Sequence, residues 1–582
     1  MPLKAIISPV MAFLIDKMET MKKLRWQFLI ILLTLTLVGV LLIRQQPAPV
    51  VVSPQPVSGG IYTEGMIGSI SRLNPLFDSN NQNDHDIDRL LYSGLIKFDS
   101  HGNPIADLAE SWGVSLDGTV YNITIRPKAV WHDGEPVTSA DVIFTLELMQ
   151  NDISGMPDDV RSMWSQIKVK ELDEKTLRFE LSEPYAPFMD NLAFGILPKH
   201  LLENVPVDQI IDNEFNLHPV GSGPYQFDSL IIENGEIKGV ILKQSPGYYG
   251  SKPYIEQVVF MYYPDARSAL EAYQMGEVMG LNQVPDQIID ETLAEPNLNS
   301  YSSRMPMLSL VLLNLQDPEI PFLQETDVRI ALLQGLNRQW MVDKLFNGQA
   351  IVAHSPILPG NWAYFDGVEN YAYEPDKAID TLAQLGYVRS GDGSGIREKD
   401  GVRMAFTLLY PDDTQHLSVA EAIQRDWLKI GVQVDLQAIP FDELLNNYLA
   451  PRNYQAALID LDFENDHDPD PYPFWHQSEA TGGQNYSQWD NRSASEYIEQ
   501  ARVIVDSNFR SKLYRNFQIV FSRQLPSLPL YFPVFTFAVD SQVSGVQLAP
   551  IYDISDRFLD FNEWYLVTRR SLEPASDSTG QP

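Results

Sequence analysis

The sequence predicts an α/β fold with mixed sheets, made of several domain-sized units and preceded by one membrane-spanning helix. Three observations lead to this prediction. The 582 residues are 44% hydrophobic and 11% aromatic, so the chain can bury a large core. Short β-branched or aromatic runs such as TVYNITI and LRFEL alternate with segments of helical periodicity. One uncharged apolar segment near the N-terminus has the length of a bilayer-spanning helix.

The apolar segment, WQFLIILLTLTLVGVLLI, covers residues 26–43 and lies between Arg25 and Arg44. Basic residues are concentrated before it, so the positive-inside rule places residues 1–25 in the cytoplasm and the main part of the chain outside. The residues that follow lack the small-residue pattern of a signal-peptide cleavage site. We therefore expect a single-pass signal anchor in the cell membrane, with a cleaved signal peptide as the alternative.

Two segments have the composition of non-globular chain. Residues 44–59 are rich in Pro, Val and Ser, which predicts a semi-extended linker between the membrane and the main domain. Residues 571–582 are rich in small and polar residues and predict a disordered tail. The sequence between these segments contains no internal repeat.

Charge and cysteine content exclude several classes of function. The chain has 42 basic and 77 acidic residues, a net charge of -35, which argues against binding to nucleic acid. It contains no cysteine, so disulfides, thiolate catalysis and cysteine-ligated metals are excluded. An anchor made of an acylated cysteine is excluded for the same reason.

The stretch from Leu91 to Met149 contains the most specific series of local signals. Asp133 and Gly134 predict a tight turn whose left-handed position suits glycine. Thr138 and Asp141 predict a capping box at the start of a helix. These residues build the fold and carry no chemistry.

In the order of its turns, strands and capped helix, this stretch resembles the peptide-binding subunits of bacterial ABC importers, the extracellular solute-binding proteins of family 5. Gly221 and Gly223 resemble a family turn; they lack the third glycine of a dinucleotide loop, so we expect them to mark a close crossing of two chain segments. Asn337 stands where the family has aspartate, and both residues cap helices well. The segments that resemble the family are 91–149, 183–203, 218–227, 327–350 and 391–404.

The resemblance implies a two-lobed periplasmic-binding-protein-like fold of type II, with three discontinuous domains in residues 60–570. Lobe I would comprise residues 60–97, 206–265 and 526–570. Residues 98–205 would form an inserted second domain, and residues 266–525 would form lobe III. The ligand would then lie between lobes I and III.

The most chemically suggestive region begins at residue 460. Carboxylates at alternate positions from Asp462 imitate half of a calcium loop, but His467 and Pro473 stand where that loop needs glycine and glutamate. The two histidines have no established metal-ligand spacing, so we predict no metal and no cofactor. Acidic and histidine side chains are concentrated here, among them Asp460, Asp462, Glu464, Asp466, His467, Asp468 and His476.

The resemblance implies a different role for this cluster. In the family, one carboxylate on this loop pairs with the α-amino group of the bound peptide, because a buried ammonium needs a partner. The candidates here are Asp462, Glu464 and Asp468. Aromatic side chains supply broad contact area, so three aromatic residues are further candidates, as walls of the ligand pocket: Trp475, Tyr486 and Trp489.

The predicted function is that of a substrate-binding subunit, which captures di- or oligopeptides between two closing lobes and delivers them to an ABC permease. No nucleophile elbow, catalytic triad or metalloprotease helix occurs in the sequence, so we predict no catalytic residue and no enzyme activity. We expect a monomer whose partners are the ligand, the permease subunits and the membrane. The alternatives are an oligosaccharide or metal-chelate binder of the same fold, a membrane-anchored ligand sensor, and a hydrolase using acidic pairs.

Overall fold

Strands and helices alternate along the chain, as the sequence predicts, and form a mixed α/β fold. The computed structural model describes residues 26–41, 50–151 and 158–574. The chain divides into two units, of which Ser58–Leu566 is the larger. The smaller unit comprises Met1–Val57 together with Val567–Pro582.

Twelve strands of the larger unit form one sheet that has both parallel and antiparallel pairs. Ten of them follow one hydrogen-bonded path: Gln433–Ile439, Ala405–Pro411, Ala456–Asp462, Met307–Leu313, Ser527–Asp540, Gly280–Leu281, Ile61–Ile67, Gln257–Tyr263, Glu236–Gln244 and Tyr225–Glu233. The other two also pair with Ser527–Asp540: Leu298–Arg304 and Ala350–Val352. The predicted mixed sheet is confirmed.

Three small sheets accompany the large one. A four-stranded antiparallel sheet has the order Ala109–Val114, Val120–Ile125, Thr176–Glu180 and Lys168–Asp173. A pair is formed by Ile96–Phe98 and Pro104–Ala106. A three-stranded sheet is formed by Val388–Arg389, Arg397–Lys399 and Val402–Arg403.

Helices pack against these sheets. The α-helices of the larger unit are Gln82–Leu91, Ser139–Met149, Asp158–Gln166, Lys199–Leu202, Ala266–Gln274, Ile289–Ala294, Thr326–Gln334, Arg338–Leu345, Pro375–Gln384, Thr414–Ile430, Phe441–Glu443, Tyr472–Trp475, Arg492–Val503 and Ser507–Gln524. A π-helical segment follows one of them, at Leu444–Leu449. Short 3-10 helices are Asp78–Asn80, Ala186–Leu192, Val207–Asp212, Glu214–Leu217, Pro321–Gln324, Gln477–Ala480, Ile554–Phe558 and Phe561–Glu563.

The long strand Ser527–Asp540 belongs to two hydrophobic cores. Its first half packs into a core built from residues 308–532, called the second core here. Its second half packs into a core built from residues 62–262 and 535–564, called the first core. Only Pro533 and Val534 in this strand are half-buried, so the two cores meet at these residues. Because the strand is buried elsewhere, its sequence is an almost continuous apolar run.

Several local predictions are confirmed. Gly134 has φ 97 in a turn closed by its N–H, which donates to the carbonyl of Trp131 at 2.9 Å. The capping box of helix Ser139–Met149 is present, with the Thr138 N–H donating to the Asp141 carboxylate at 2.7 Å. Asn337 caps helix Arg338–Leu345 by accepting from the Trp340 N–H at 3.0 Å. Short-range geometry alone sets these contacts, so the sequence suffices to predict them.

The two glycines of the HPVGSGPY segment mark a close crossing of chain segments, as predicted. A Cβ atom on Gly221 would lie 1.9 Å from the carbonyl oxygen of Leu91, and one on Gly223 would lie 2.4 Å from that of Leu90. The Gly223 N–H donates to the Leu91 carbonyl at 2.8 Å. The crossing fixes the end of helix Gln82–Leu91, which forms part of the candidate site.

Residues 26–41, inside the predicted membrane span, form a helix with exposed apolar side chains. Within the described ranges no helix is both long and apolar enough to cross a membrane. Residues 1–25 and 42–43 of the predicted N-terminal segments lie outside the described residues.

In the smaller unit, parts of the expected semi-extended linker and disordered tail form paired strands. Val50–Val57, within the predicted linker, pairs antiparallel with Val567–Pro574, which includes the start of the predicted tail. The physical reason is the run of β-branched valines, while Pro54 and Pro56 are tolerated because each strand of a two-stranded pair keeps a free edge. Residues 575–582 lie outside the described residues.

Candidate functional site

The acidic loop, residues 463–471, joins strand Ala456–Asp462 to helix Tyr472–Trp475 and contacts the first core. Asn465 takes a left-handed conformation with φ 64, and its N–H donates to the Tyr552 carbonyl at 2.8 Å. The Asp468 N–H donates to the Asp190 carboxylate at 2.7 Å. The loop leaves a strand of the second core, so these bonds connect the two cores.

His467 forms the most extensive contact of the acidic loop. Its ring stacks on Phe98 with centroids 3.6 Å apart and on Tyr552 with centroids 4.5 Å apart. Its carbonyl accepts a hydrogen bond from the Asn361 side chain at 2.9 Å. Burial lowers the pKa of His467 to about 4, so the ring is neutral at neutral pH and packs as an aromatic side chain. His467 therefore attaches the loop mainly through aromatic stacking.

Two carboxylates of the loop already have cationic partners. Asp468 accepts a bidentate pair of hydrogen bonds from Arg510, whose side chain is 5% exposed. Asp470 lies 3.0 Å from Nε of Arg502. These pairs fix the loop against the helices Arg492–Val503 and Ser507–Gln524, and they leave neither carboxylate free of a partner.

Glu464 belongs to a cluster that shares protons across the contact. Glu464 is exposed, but partial desolvation and the hydrogen-bonded carboxylate of Asp553 raise its pKa to about 8. His85 lies between two carboxylates, with Nδ1 3.0 Å from Asp78 and Nε2 3.1 Å from Asp553. Burial acts to lower the pKa of His85, but the two carboxylates outweigh it and raise this pKa well above its ordinary value. Docked Glu464 therefore holds a proton that it would release when the loop separates from the first core.

A rise in pH is expected to separate the acidic loop from the first core. Detached Glu464 would ionise near its ordinary pKa of 4.5, whereas docked Glu464 ionises near 8. The proton on Glu464 therefore stabilises the docked state fully below pH 4.5, and this stabilisation is lost as the pH rises to about 8.

Spin-label distances between the two cores would measure this separation. The chain has no cysteine, so the substitutions Glu233→Cys and Glu421→Cys give a single labelled pair on exposed positions, one beside each core. We expect longer distances at alkaline pH, and a smaller change when Glu464→Gln is added. An equal pH response with and without Glu464→Gln would show that this proton is not involved.

A cavity of about 350 Å³ lies beside the acidic loop. Asn465 and His467 form one wall, and His85, Asp88 and Arg89 of helix Gln82–Leu91 form another. Apolar side chains complete the lining: Met149, Val160, Trp164 and Phe194. The volume and the mixture of apolar walls with a few polar groups are typical of a small-molecule site.

The sequence analysis missed the contribution of helix Gln82–Leu91. His85, Asp88 and Arg89 are spaced three and four residues apart, so they share one helix face. Asp86 points elsewhere and binds Arg557 within the first core. The sequence does contain a signal for this face, the polar run NDHDIDR, in which five residues are of types that usually lie in solvent. In the structure, most residues of this helix are buried.

The structure places the six predicted site residues in three surroundings. Asp462 is exposed and accepts from the Glu464 N–H at 2.9 Å. Glu464 and Asp468 have the partners given above. Trp475 and Trp489 are buried in the second core against Phe521, and Tyr486 is half-buried beneath Arg452. None of the six is among the described residues that line the cavity beside the loop.

Comparisons with known proteins agree with the sequence resemblance. Residues 103–484 match the family model described as bacterial extracellular solute-binding proteins, family 5 Middle. The oligopeptide-binding protein AppA of Bacillus subtilis is 29% identical over 88% of this chain and 93% of its own length. Its structure in complex with a nonapeptide superposes with a TM-score of 0.63, at 27% identity, over 88% of this chain and 100% of that one. The dipeptide-binding protein of Escherichia coli is 27% identical over 79% of this chain and 87% of its own length.

Proposed function

Because the chain belongs to the bacterial extracellular solute-binding proteins of family 5, we propose that it captures peptides and delivers them to the permease of an ABC importer. The similarity to an oligopeptide-binding and a dipeptide-binding protein over most of the chain carries this proposal. The cavity beside the acidic loop supports it, since peptide-sized ligands need a partly apolar site with a few fixed polar groups.

The acidic loop supplies a mechanism for signalling that ligand is bound. The loop belongs to the second core and docks on the first through His467, Asn465 and Asp468. A ligand that contacts both cores would favour the docked arrangement by the difference in its affinity for the docked and separated states. The permease would then recognise the docked arrangement. The hinge for this motion would lie near Pro533 and Val534, where the two cores share a strand.

Of the three candidate carboxylates for the α-amino group of the peptide, Asp462 fits best. Asp468 is held by Arg510, and Glu464 shares a proton with Asp553. Asp462 is exposed, and its pKa is raised, first by partial desolvation and then by the Asp553 and Asp460 charges. A ligand ammonium would relieve this accumulation of negative charge. No lysine or arginine side chain makes an ion pair with Asp462 among the described residues.

The substitution Asp462→Asn is expected to weaken peptide binding by about tenfold or more, because a charge-assisted hydrogen bond contributes about 1.5–3 kcal/mol. Isothermal titration calorimetry with short peptides would measure the loss. Asp208→Asn, at an exposed site on a different segment, is the matched control and should bind normally. Equal affinities for the wild type and Asp462→Asn would contradict the assignment of the α-amino site.

The ligand class is tested by native mass spectrometry of protein purified gently from its own host. After denaturation, we expect the released small molecules to be short peptides. A released oligosaccharide or metal chelate, or protein that no peptide stabilises, would overturn the proposed function. Peptide cleavage during the incubation would contradict the expectation that the protein is not an enzyme.

We propose that residues 26–43 anchor the protein in the membrane, with the solute-binding part outside the cytoplasm. The support is the uncharged apolar sequence and the basic residues that precede it. N-terminal sequencing of the membrane-extracted protein is expected to find residues upstream of Trp26. A mature N-terminus near Pro47 would indicate cleavage and contradict the anchor.

A further inference from the structure

Asp88 is the one buried carboxylate in the cavity wall whose two oxygens both lack a hydrogen-bond partner within the described part of the chain. Its side chain lies on helix Gln82–Leu91, and the residue is 4% exposed. The backbone N–H of Asn74 favours the ionised form of Asp88 but donates its hydrogen bond to the Arg72 carbonyl at 3.0 Å. An unsatisfied buried carboxylate costs free energy, and natural structures rarely retain one without a reason. The position of Asp88 in the lining of an empty space suggests that a ligand supplies the missing partner.

The other charged side chains of the cavity do not supply that partner. Arg89 donates to Asp556 at 2.8 Å. His85 is bound between Asp78 and Asp553. Lys97 is the remaining cation of the lining, and its charge acts on Asp107, a residue that also accepts from the Tyr249 hydroxyl at 2.6 Å.

The charges around Asp88 favour a cationic ligand. Among the described residues, five carboxyl side chains line the cavity: Asp78, Asp88, Asp107, Asp190 and Asp556. Among the described lining residues the cationic groups are Arg89, Lys97 and His85, whose pKa is raised well above its ordinary value despite its burial. The Asp190 carboxylate accepts from a backbone N–H of the acidic loop but has the negative Asp468 beside it. The cationic groups offset part of the negative charge, but the charges of Asp78 and Asp84 still act together with burial to raise the pKa of Asp88, so a positive group beside Asp88 is favoured in this partly dehydrated space.

We propose that this cavity binds the ammonium or guanidinium group of a peptide against Asp88, so that the protein prefers peptides carrying a positive charge there. The inference rests on the proposed peptide-binding function and adds the class of peptide. A carboxylate whose two oxygens have no partner matches a guanidinium fork or an ammonium group, and because both oxygens are covered in this structure, the ligand would have to displace neighbouring side chains to reach them. Met149, Trp164 and Phe194 line the same space and would cover the aliphatic part of a lysine or arginine side chain.

The cation has two possible sources. It is the side chain of a lysine or arginine if the α-amino group of the peptide pairs with Asp462, or it is the α-amino group itself, which would then pair with Asp88 instead of Asp462. Four ligands distinguish them: Ala-Lys-Ala, the neutral isostere Ala-norleucine-Ala, and the N-acetylated form of each. If the cation is the side chain, the wild type should bind the lysine peptide more tightly than the norleucine peptide, whether or not the peptides are acetylated. If the cation is the α-amino group, the wild type should bind the free norleucine peptide more tightly than its acetylated form. The same set extended to pentapeptides covers longer ligands.

The test compares the wild type with Asp88→Asn, which keeps the size of the side chain and removes its charge. We expect the wild type to prefer the cationic ligand by about tenfold or more, and Asp88→Asn to lose this preference while still binding the norleucine peptide. Asp208→Asn should keep the preference. A preference that is unchanged in Asp88→Asn would overturn the inference and leave the peptide-binding function intact.

Proton release gives an independent readout. Burial, followed by the Asp78 and Asp84 charges, raises the pKa of Asp88 well above its ordinary value, so an arriving cation should displace a proton. Calorimetry in buffers of different ionisation enthalpy is expected to detect proton release for the wild type and a reduced release for Asp88→Asn. Equal release from both proteins would contradict the pairing with Asp88. If the wild type binds none of these peptides, the proposed function itself fails, and this inference fails with it.

Discussion

Replacing Arg557 with methionine is expected to lower the free energy of unfolding by about 3–5 kcal/mol, because it leaves two buried carboxylates without their cation. Arg557 donates to Glu64 at 2.8 Å and to Asp86 at 2.7 Å, and all three side chains are 0% exposed. The loss is a large fraction of the roughly 5–15 kcal/mol by which folded proteins are stabilised. Chemical denaturation followed by circular dichroism would measure it.

The same substitution at an exposed ion pair is the control for Arg557→Met. Arg492 pairs with Glu496 on a helix surface and is 84% exposed, so Arg492→Met should cost less than about 1 kcal/mol. Without the Arg557 charge, which acts to lower the pKa of buried Glu64, protonation of Glu64 is favoured further in the folded state, so the deficit of Arg557→Met should shrink as the pH falls. A variant as stable as the wild type, or a deficit that grows at low pH, would show that the ion cluster does not stabilise the fold in this way.

Sequence reasoning succeeds here where a contact is local. The turn at Gly134, the capping box of Thr138 and Asp141, and the cap at Asn337 each depend on residues within a few positions of one another. The family resemblance extends this reach, since the ordered motifs identify the fold before any contact is known. The chain crossing at Gly221 was predictable because closely spaced glycines outside a phosphate-binding loop commonly let two backbone segments approach each other.

The candidate site needed the structure because its contacts join distant parts of the chain. Arg557 lies 493 residues from Glu64, and Arg510 lies 42 residues from Asp468. Nothing in the sequence pairs these residues, so Asp468 remained a candidate for ligand binding until its arginine partner was seen. Asp88 was overlooked for the opposite reason. A charged residue in a helix usually faces solvent, and only the tertiary structure shows that this helix face lines a cavity.

Replacing Arg510 with methionine is expected to destabilise the protein by about 3–5 kcal/mol and to weaken peptide binding as well, because the Asp468 carboxylate would remain buried without its cation. Arg510 also donates to the Ala501 carbonyl at 2.7 Å, so its loss loosens the helices behind the acidic loop. Denaturation and calorimetry would measure the two effects. Adding Asp468→Asn removes the unpaired charge, and we expect it to recover part of the stability. If the double variant regains stability but still binds peptides weakly, the Arg510–Asp468 pair positions the loop for binding. If the double variant recovers the full peptide affinity, this pair only stabilises the fold.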